Sequence, residues 1–287
     1  MQVQQIDRQQ PAHVSFQSAG WRGVARADWA DHFVNVDLVQ WIQQFPHELT
    51  RDRMSRRLYF VHAPNRDVYA KVMVGTNDRA IEQPSLGARL RWSLRPSRAM
   101  QTLRVCRRMI HAGVLCPPPV LAARKWTRGM PTDVFINDAI DGRGVGDRIS
   151  SAEDNAARVR IIERVVPHIE KLHRAHFLHG DLLPNNLIAD AEFEHICFLD
   201  NDRTRHWPIG LSTQRRCENI FQFAFRLLQY GEDVPVAFID AYAQAAGWPR
   251  RRHERHRAEL LKDIRERMAR RVAKRGSGSR GRPTDVQ

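Results

Sequence analysis

Apolar and polar positions along this chain follow two different periods, and the change from one to the other divides it. Arg57–Val61 and Val68–Val74 are rich in β-branched and aromatic residues. They are joined by Ala63-Pro64-Asn65-Arg66-Asp67, a turn composition, so a hairpin is predicted with Lys71 inside its second strand. Ser97 then precedes Met100, Leu103, Cys106 and Ile110 at spacings of three and four, and the run closes at Gly113 and Pro117–Pro119. This is a helix with an N-cap, a stripe and a stop. Beyond the prolines, Val120–Ala122 and Val134–Ile136 predict two more strands around the polar turn Lys125–Pro131.

From Ser151 the period is helical. Ile162, Val165, Val166, Ile169 and Leu172 form one stripe, bent or broken near Pro167. Leu187–Ala189 and Ile196–Leu199 predict a second hairpin, and two helices follow, carrying Ile220, Phe221, Ala224, Leu227 and Leu228, then Phe238, Ile239 and Tyr242. A last helix places Leu261, Ile264, Met268 and Val272 on one narrow face, expected to pack on the body rather than in lipid. At the other end, residues 1–30 are weakly patterned and read as a flexible leader before a short helix with Phe33, Val36, Leu38, Val39 and Trp41. The expected division is a leader over 1–30, a strand-rich half over 31–140, a helical half over 141–262 and a basic tail over 263–287.

Composition narrows the class. With 42% hydrophobic and 27% charged residues, the 287-residue chain is neither collagenous, coiled-coil nor wholly disordered. No stretch approaches the ~18 apolar residues of a membrane span, and MQVQQIDRQQ has no signal-peptide pattern, so a cytoplasmic address is expected. Cys106, Cys116, Cys197 and Cys217 lack CxxC pairing, which speaks against a disulfide framework or a zinc site. Charge changes the picture most: the net is +14. Residues 83–132 hold ten Lys/Arg and no acid, and residues 250–287 hold fourteen against five acids, so the rest of the chain is net acidic. Such blocks point to a polyanionic partner, an anionic membrane surface or an anionic glycolipid met through 83–132 and 250–282. No aromatic–basic alternation of the RNA-binding kind accompanies them, so sequence-specific nucleic acid is not expected.

The candidate chemistry lies in His179-Gly180-Asp181-Leu182-Leu183-Pro184-Asn185-Asn186, followed by Phe198-Leu199-Asp200 at the end of a hairpin. Phosphoryl transfer needs an acceptor hydroxyl held in line with the γ-phosphate and metal ions that neutralise the phosphates. Asp181 would accept a hydrogen bond from that hydroxyl, Asn186 and Asp200 would offer oxygen ligands to Mg²⁺, and Lys71 would hold the α- and β-phosphates. These elements resemble the protein-kinase-like superfamily, with its H-x-D-x-x-x-x-N loop and later metal-binding Asp. Gly180 stands where protein kinases carry an Arg that pairs with a phosphorylated loop.

From about Arg53 to Tyr242 the chain is similar to the bacterial lipopolysaccharide kinase family, which includes Kdo and heptose kinases. The matching pieces are Tyr69-Ala70-Lys71, Ser97-Arg98-Ala99, His111-Ala112-Gly113-Val114, Pro117–Pro119, Leu172-His173 and Leu199-Asp200-Asn201-Asp202-Arg203. The resemblance implies an α+β, two-lobed kinase fold, with a small antiparallel β-sheet and one helix in the N-lobe and a mainly helical C-lobe. It also implies use of ATP and Mg²⁺ to phosphorylate an inner-core sugar hydroxyl at the cytoplasmic face of the inner membrane. His179, Asp202 and Arg203 would support the site, the last two as a local ion pair, and His173 would brace the catalytic loop.

Two departures stand out. No Gly-rich loop precedes Lys71; the corresponding turn is expected at Ala63–Asp67, with phosphate cover from backbone amides or from Arg53, Arg56 and Arg57. The helix carboxylate that usually pairs with the strand Lys is absent, its slot falling at Gln101 or Thr102, and Glu82 is the nearest upstream candidate. His168, His173, His176 and His195 show no metal-binding pattern. Two other classes remain open from sequence: a kinase for a small molecule (aminoglycoside-like) or a protein Ser/Thr hydroxyl, and a catalytically weak kinase-like scaffold on membrane or nucleic acid.

Overall fold

The period-two half builds a seven-stranded antiparallel sheet in the order β1-β2-β6-β7-β5-β4-β3. The computed structural model describes residues 11–53, 56–74, 87, 90, 94–127 and 130–278. The predicted hairpin is β4 (Arg56–His62) against β5 (Asp67–Val74), with Leu58 opposite Lys71. On the other side of β5 lies β7 (Met130–Asp138), itself paired with β6 (Pro119–Thr127). Before them, α1 (Leu38–Gln44) is capped by Asp37, and β3 (His47–Arg53) adds an edge that the sequence reading did not anticipate.

The leader expectation is corrected for the residues described. β1 (His13–Ser18) and β2 (Trp21–Arg26) form a hairpin, and β2 joins the sheet through β6. A 3-10 helix (Ala27–Phe33) follows. Phe16, Trp21, Trp29, Phe33 and Trp41 then fill a core on the outer face of the sheet. The reason is partly electrostatic: Arg26, a charged residue that reads as surface, is buried and donates to Asp138 at 2.7 and 3.3 Å. The sheet is therefore larger than the small one expected.

The helix α2 (Arg98–His111) is capped as its sequence predicts, the Ser97 hydroxyl accepting from the Met100 N–H at 3.2 Å. Its stripe of Ala99, Leu103, Cys106, Met109 and Ile110 belongs to the core of the helical half. Asp133 on β7 locks it in place, accepting from the Ser97 hydroxyl (2.9 Å), the Arg98 N–H (2.8 Å) and Arg124 Nε (2.7 Å).

β8 (Arg143–Gly144) and α3 (Val145–Ser150) lead into the helical half. There α4 (Asn155–Arg174) runs unbroken through Pro167. β9 (Phe177–Leu178) precedes the catalytic-loop sequence, and β10 (Leu187–Ala189) and β11 (Ile196–Phe198) form the second hairpin. β12 (Arg205–His206) returns to pair with β9. The rest is α5 (Thr213–Leu227), α6 (Asp233–Ala245) and α7 (Arg250–Gly278).

The last helix differs from expectation twice. It continues through 263–278, which had been assigned to a tail, and its buried positions are His256, Leu260 and Ile264, with Leu261 only partly covered and Met268 42% exposed. The i, i+4, i+8 row meets α5 and α6, so Ile264 is buried as predicted, Leu260 takes the place expected of Leu261, and Met268 on the same row lies beyond the contact. Arg267 completes the contact by lying over Phe221 and Phe225, 5.4 and 4.9 Å from their ring centroids.

Removing the carboxylate that anchors α2 leaves the Arg124 guanidinium without its counter-charge and the Arg98 N–H without its acceptor. Asp133→Ala is therefore expected to lower the unfolding free energy by about 3 kcal/mol, the usual cost of breaking a buried pair from one side. Urea denaturation measures it, and a loss below about 0.5 kcal/mol, the scale of surface substitutions, would contradict the anchoring role.

Candidate active site

A cleft of about 400 Å³ separates the sheet from the helical half. Its upper wall comes from Thr50, Arg51, Arg56, Arg57 and Leu58 on β3 and β4, and from Lys71 on β5. Its lower wall holds Asn186, Ile188, Leu199, Asp200 and Asp202. Met73, Phe135 and Ile140 add apolar surface. The roof is thus the β3–β4 hairpin, not the Ala63–Asp67 turn, which contributes no residue to the cleft. Arg56 and Arg57, also named from sequence, do line the cleft, while the expected turn is corrected. Strand order explains it, because Lys71 faces the strand whose other neighbour is β3. The roof strands carry arginines where a Gly-rich loop would offer backbone amides.

Across the cleft, the Lys71 ammonium donates to Asp200 Oδ1 and lies 4.0 Å from Asp202 Oδ2. Arg56 Nη1 meets the same Asp202 oxygen at 2.9 Å. Asp202 is therefore paired with the strands, not with its neighbour Arg203, as the local-ion-pair reading had it. Burial pushes the Asp200 carboxyl up, but the Lys71 charge more than offsets this and holds it below the usual range. α2 lines the cleft with Thr102 and Cys106, neither a carboxylate, and the Thr102 hydroxyl donates to the Arg98 carbonyl at 2.9 Å. Lys71 is instead held by carboxylates of the helical half. Glu82, the other candidate partner, lies outside the described residues.

Asp200 sits in the left-handed region (φ 54°, ψ 49°), a conformation that Asp tolerates better than most residues. The next turn is fixed by Asn201, which donates to the Phe198 carbonyl at 2.6 Å and accepts from the Thr204 hydroxyl at 3.1 Å.

The loop 179–186 is clamped from behind. His179 is fully buried; its Nδ1 accepts from the Asp181 N–H at 3.3 Å, so Nε2 carries the proton given to the Leu199 carbonyl at 2.7 Å. One neutral ring thereby ties the catalytic loop to the strand end before Asp200. Asn219 on α5 donates to the His179 carbonyl at 2.6 Å and accepts from its N–H at 3.2 Å. His173 donates to the same Asn219 oxygen at 2.9 Å while accepting from the Tyr242 hydroxyl at 2.6 Å. The expected bracing by His173 thus runs through Asn219, which the sequence reading missed. Gln222, one turn on, accepts from the Leu182 N–H at 3.0 Å. The available signal was a pair of amides at i and i+3 inside an otherwise apolar stripe.

Asn186 Nδ2 donates to the Asp181 carbonyl at 2.8 Å, which leaves its amide oxygen as the acceptor on the cleft side of the loop. Asp181 is half-buried and is not part of the cleft wall, but this bond fixes it to a residue that is. Gly180 has a packing reason: a Cβ there would meet Arg203 Cβ at 2.3 Å and the Arg203 carbonyl oxygen at 2.4 Å. Arg203 itself is exposed.

A sheet lobe and a helical lobe meeting over the Lys71–Asp200 pair and a clamped His-x-Asp loop have the arrangement of a protein-kinase-like phosphotransferase. Residues 50–242 match the lipopolysaccharide kinase (Kdo/WaaP) family, and the chain belongs to that family of kinases. Among solved structures, WaaP in complex with acyl carrier protein is similar in fold, with a TM-score of 0.59 over 82% of this chain and 92% of that one at 16% identity. No curated protein sequence gives a significant match.

The clamp makes a pH prediction. Burial lowers His173 from 6.5 to about 4 and lowers His179 in the same direction. Between those values the unfolded chain binds more protons than the folded one, so stability falls as pH drops from 6.5 towards 4. His173 alone accounts for about 3 kcal/mol over that window. Chemical denaturation of the wild type and of His173→Gln across this range tests it, the variant showing the shallower slope; parallel profiles would refute the clamp.

Proposed function

We propose that this kinase transfers the γ-phosphoryl group of ATP, with Mg²⁺, to a sugar hydroxyl of the lipopolysaccharide inner core, Kdo or heptose, at the cytoplasmic face of the inner membrane. The observation that carries the reading is the joining of Lys71, Asn186 and Asp200 in one cleft, with Asp181 bound to Asn186.

The donor set fits the cation. Asp200 and Asn186 offer hard oxygen atoms, and among the described residues no cluster of three or more His, Cys, Asp or Glu forms a closed site. Mg²⁺ suits such an open pair because it keeps water and phosphate oxygens in its shell. When bound, it would neutralise the phosphates of the nucleotide. The chain's own residues do the rest. Lys71 has three N–H donors and turns one to the phosphate oxygens while Asp200 and Asp202 keep it oriented, Arg56 holds Asp202 in the wall behind it, and Leu58, Met73, Phe135, Ile140, Ile188 and Leu199 cover a flat heterocycle. Asp181 takes the proton of the acceptor hydroxyl as it attacks. The scaffold alternative drew its support from the missing helix carboxylate, and Asp200 and Asp202 supply Lys71 with anionic partners in its place.

The acceptor is an anionic glycolipid, and the basic blocks at 83–132 and 250–282 are the means of peripheral attachment in this reading. No helix among the described residues is long and apolar enough to cross a membrane.

Asp181→Ala is expected to lower turnover by about 10²–10⁴-fold while leaving nucleotide affinity within about twofold, since it removes only the proton acceptor. Asp200→Ala should also abolish metal-dependent nucleotide binding, measured by calorimetry with and without Mg²⁺. Near-normal turnover in either variant refutes the assignment. Mass spectrometry of glycolipids from cells with and without the gene identifies the acceptor, and an unchanged inner-core phosphate content would exclude lipopolysaccharide.

A further inference from the structure

Between Asp202 and Glu218 the chain contains four arginines and no acid. Within this stretch Trp207-Pro208-Ile209-Gly210 closes into a turn. The Gly210 N–H donates to the Trp207 carbonyl at 3.0 Å, and the Trp207 N–H donates to the His176 carbonyl at 2.9 Å. Gly210 supplies the positive φ (98°) that the exit requires. The Arg215 guanidinium lies 3.5 Å from the centre of the Trp207 ring and holds it in place. At the apex Ile209 is 102% exposed. Single exposed apolar residues are ordinary. An isoleucine fixed at the tip of a hydrogen-bonded turn whose Trp207 is covered by Arg215 is a different object.

His206, immediately before the turn, borders a groove of about 680 Å³ walled by Arg104, Arg107, Arg108 and His111 of α2. These four lie at i, i+3, i+4 and i+7 and therefore share one helix face. No acid lines the groove. Among the described residues, none of the three arginines has an ion-pair partner. The surface therefore combines an ordered apolar tip with an unneutralised cationic flank.

We propose that the Trp207–Leu211 turn and the arginine groove of α2 together form a face that docks on an anionic lipid leaflet, with Ile209 entering the acyl boundary. This rests on the reading of a glycolipid acceptor and specifies which surface meets the membrane. An apolar wedge beside cations is the combination that interfacial binding selects. A nucleic acid would engage the arginines but gives no account of the isoleucine, and an acidic protein is the competing occupant that the test below distinguishes. The location supports it further: β12 pairs with β9, which runs directly into His179, so docking here brings the catalytic loop to the leaflet. The C-terminal helix, by contrast, spends Leu260 and Ile264 on internal packing and offers the membrane charge alone.

The test is co-sedimentation of the full chain with equimolar phosphatidylcholine and phosphatidylglycerol vesicles at physiological salt. Ile209→Ser should weaken partitioning by about tenfold, the effect of one partly inserted aliphatic side chain, with an unchanged melting temperature. Arg107→Glu combined with Arg108→Glu should abolish binding to these vesicles. A nitrobenzoxadiazole probe on Ile209→Cys should gain emission when vesicles are added. Wild-type sedimentation of the Ile209→Ser variant, no emission change, or binding of an acidic protein in place of vesicles would each overturn the proposal. The readouts are independent of phosphotransfer, so a chain that docks through Ile209 without phosphorylating lipopolysaccharide would sink the proposed function and leave this inference standing.

Discussion

Lys71 and Asp200 carry opposite charges on opposite walls of the cleft, and the working geometry depends on their meeting. Both side chains are partly exposed, at 18% and 25%, so the pair adds little net stability. Its consequence is placement. The sheet supplies the cation, the turn after β11 supplies the anion, and each makes burial of the other tolerable in a cleft with apolar walls. Asp202 and Arg56 repeat the connection one step away, so two strands of the sheet are tied to one 3-10 turn of the helical half. A lysine oriented this way has no need of a helix carboxylate, which accounts for Thr102 in that slot.

A second constraint acts from beneath. Residues 179–183 lack helix or strand structure, and their backbone groups must find partners away from solvent. Buried, uncharged side chains meet that demand. His173, His179 and Asn219 form a chain in which each donor has one acceptor, and Gln222 takes the next N–H. Protonating His179 would set its Nδ1–H against the Asp181 N–H, so burial and hydrogen bonding agree on the neutral ring there, and burial disfavours the charge on His173.

How much of this the sequence disclosed follows from where each residue's partner lies. The β4–β5 and β6–β7 hairpins, α2 and the catalytic loop were legible because their signals are local: alternation, a Ser cap, turn residues and a fixed H-x-D spacing. β3 left no such imprint, since residues 47–52 are exposed on both faces and the strand exists only through pairing with β4. The leader hid its strands because Arg26 finds its acid 112 residues away. The roof of the cleft was assigned to the wrong turn for the same reason. A hairpin is visible in sequence, but which of its ends faces Asp200 is decided by strand order. Asn219 and Gln222 read as gaps in an apolar stripe until the loop they hold was placed against them.

Gly180 joins these constraints. From sequence it marked the loss of the arginine that a phosphorylated activation loop grips, and that loss holds. Packing adds a cause, because the loop and the turn carrying Asp200 approach so closely that even a methyl group at this position would collide with Arg203. The contact that brings the 179–186 loop against the turn carrying Asp200 is therefore the contact that excludes a side chain at Gly180. A site assembled in this way gains its closeness from the absent residue and, by the same step, has no cation there through which loop phosphorylation could regulate it.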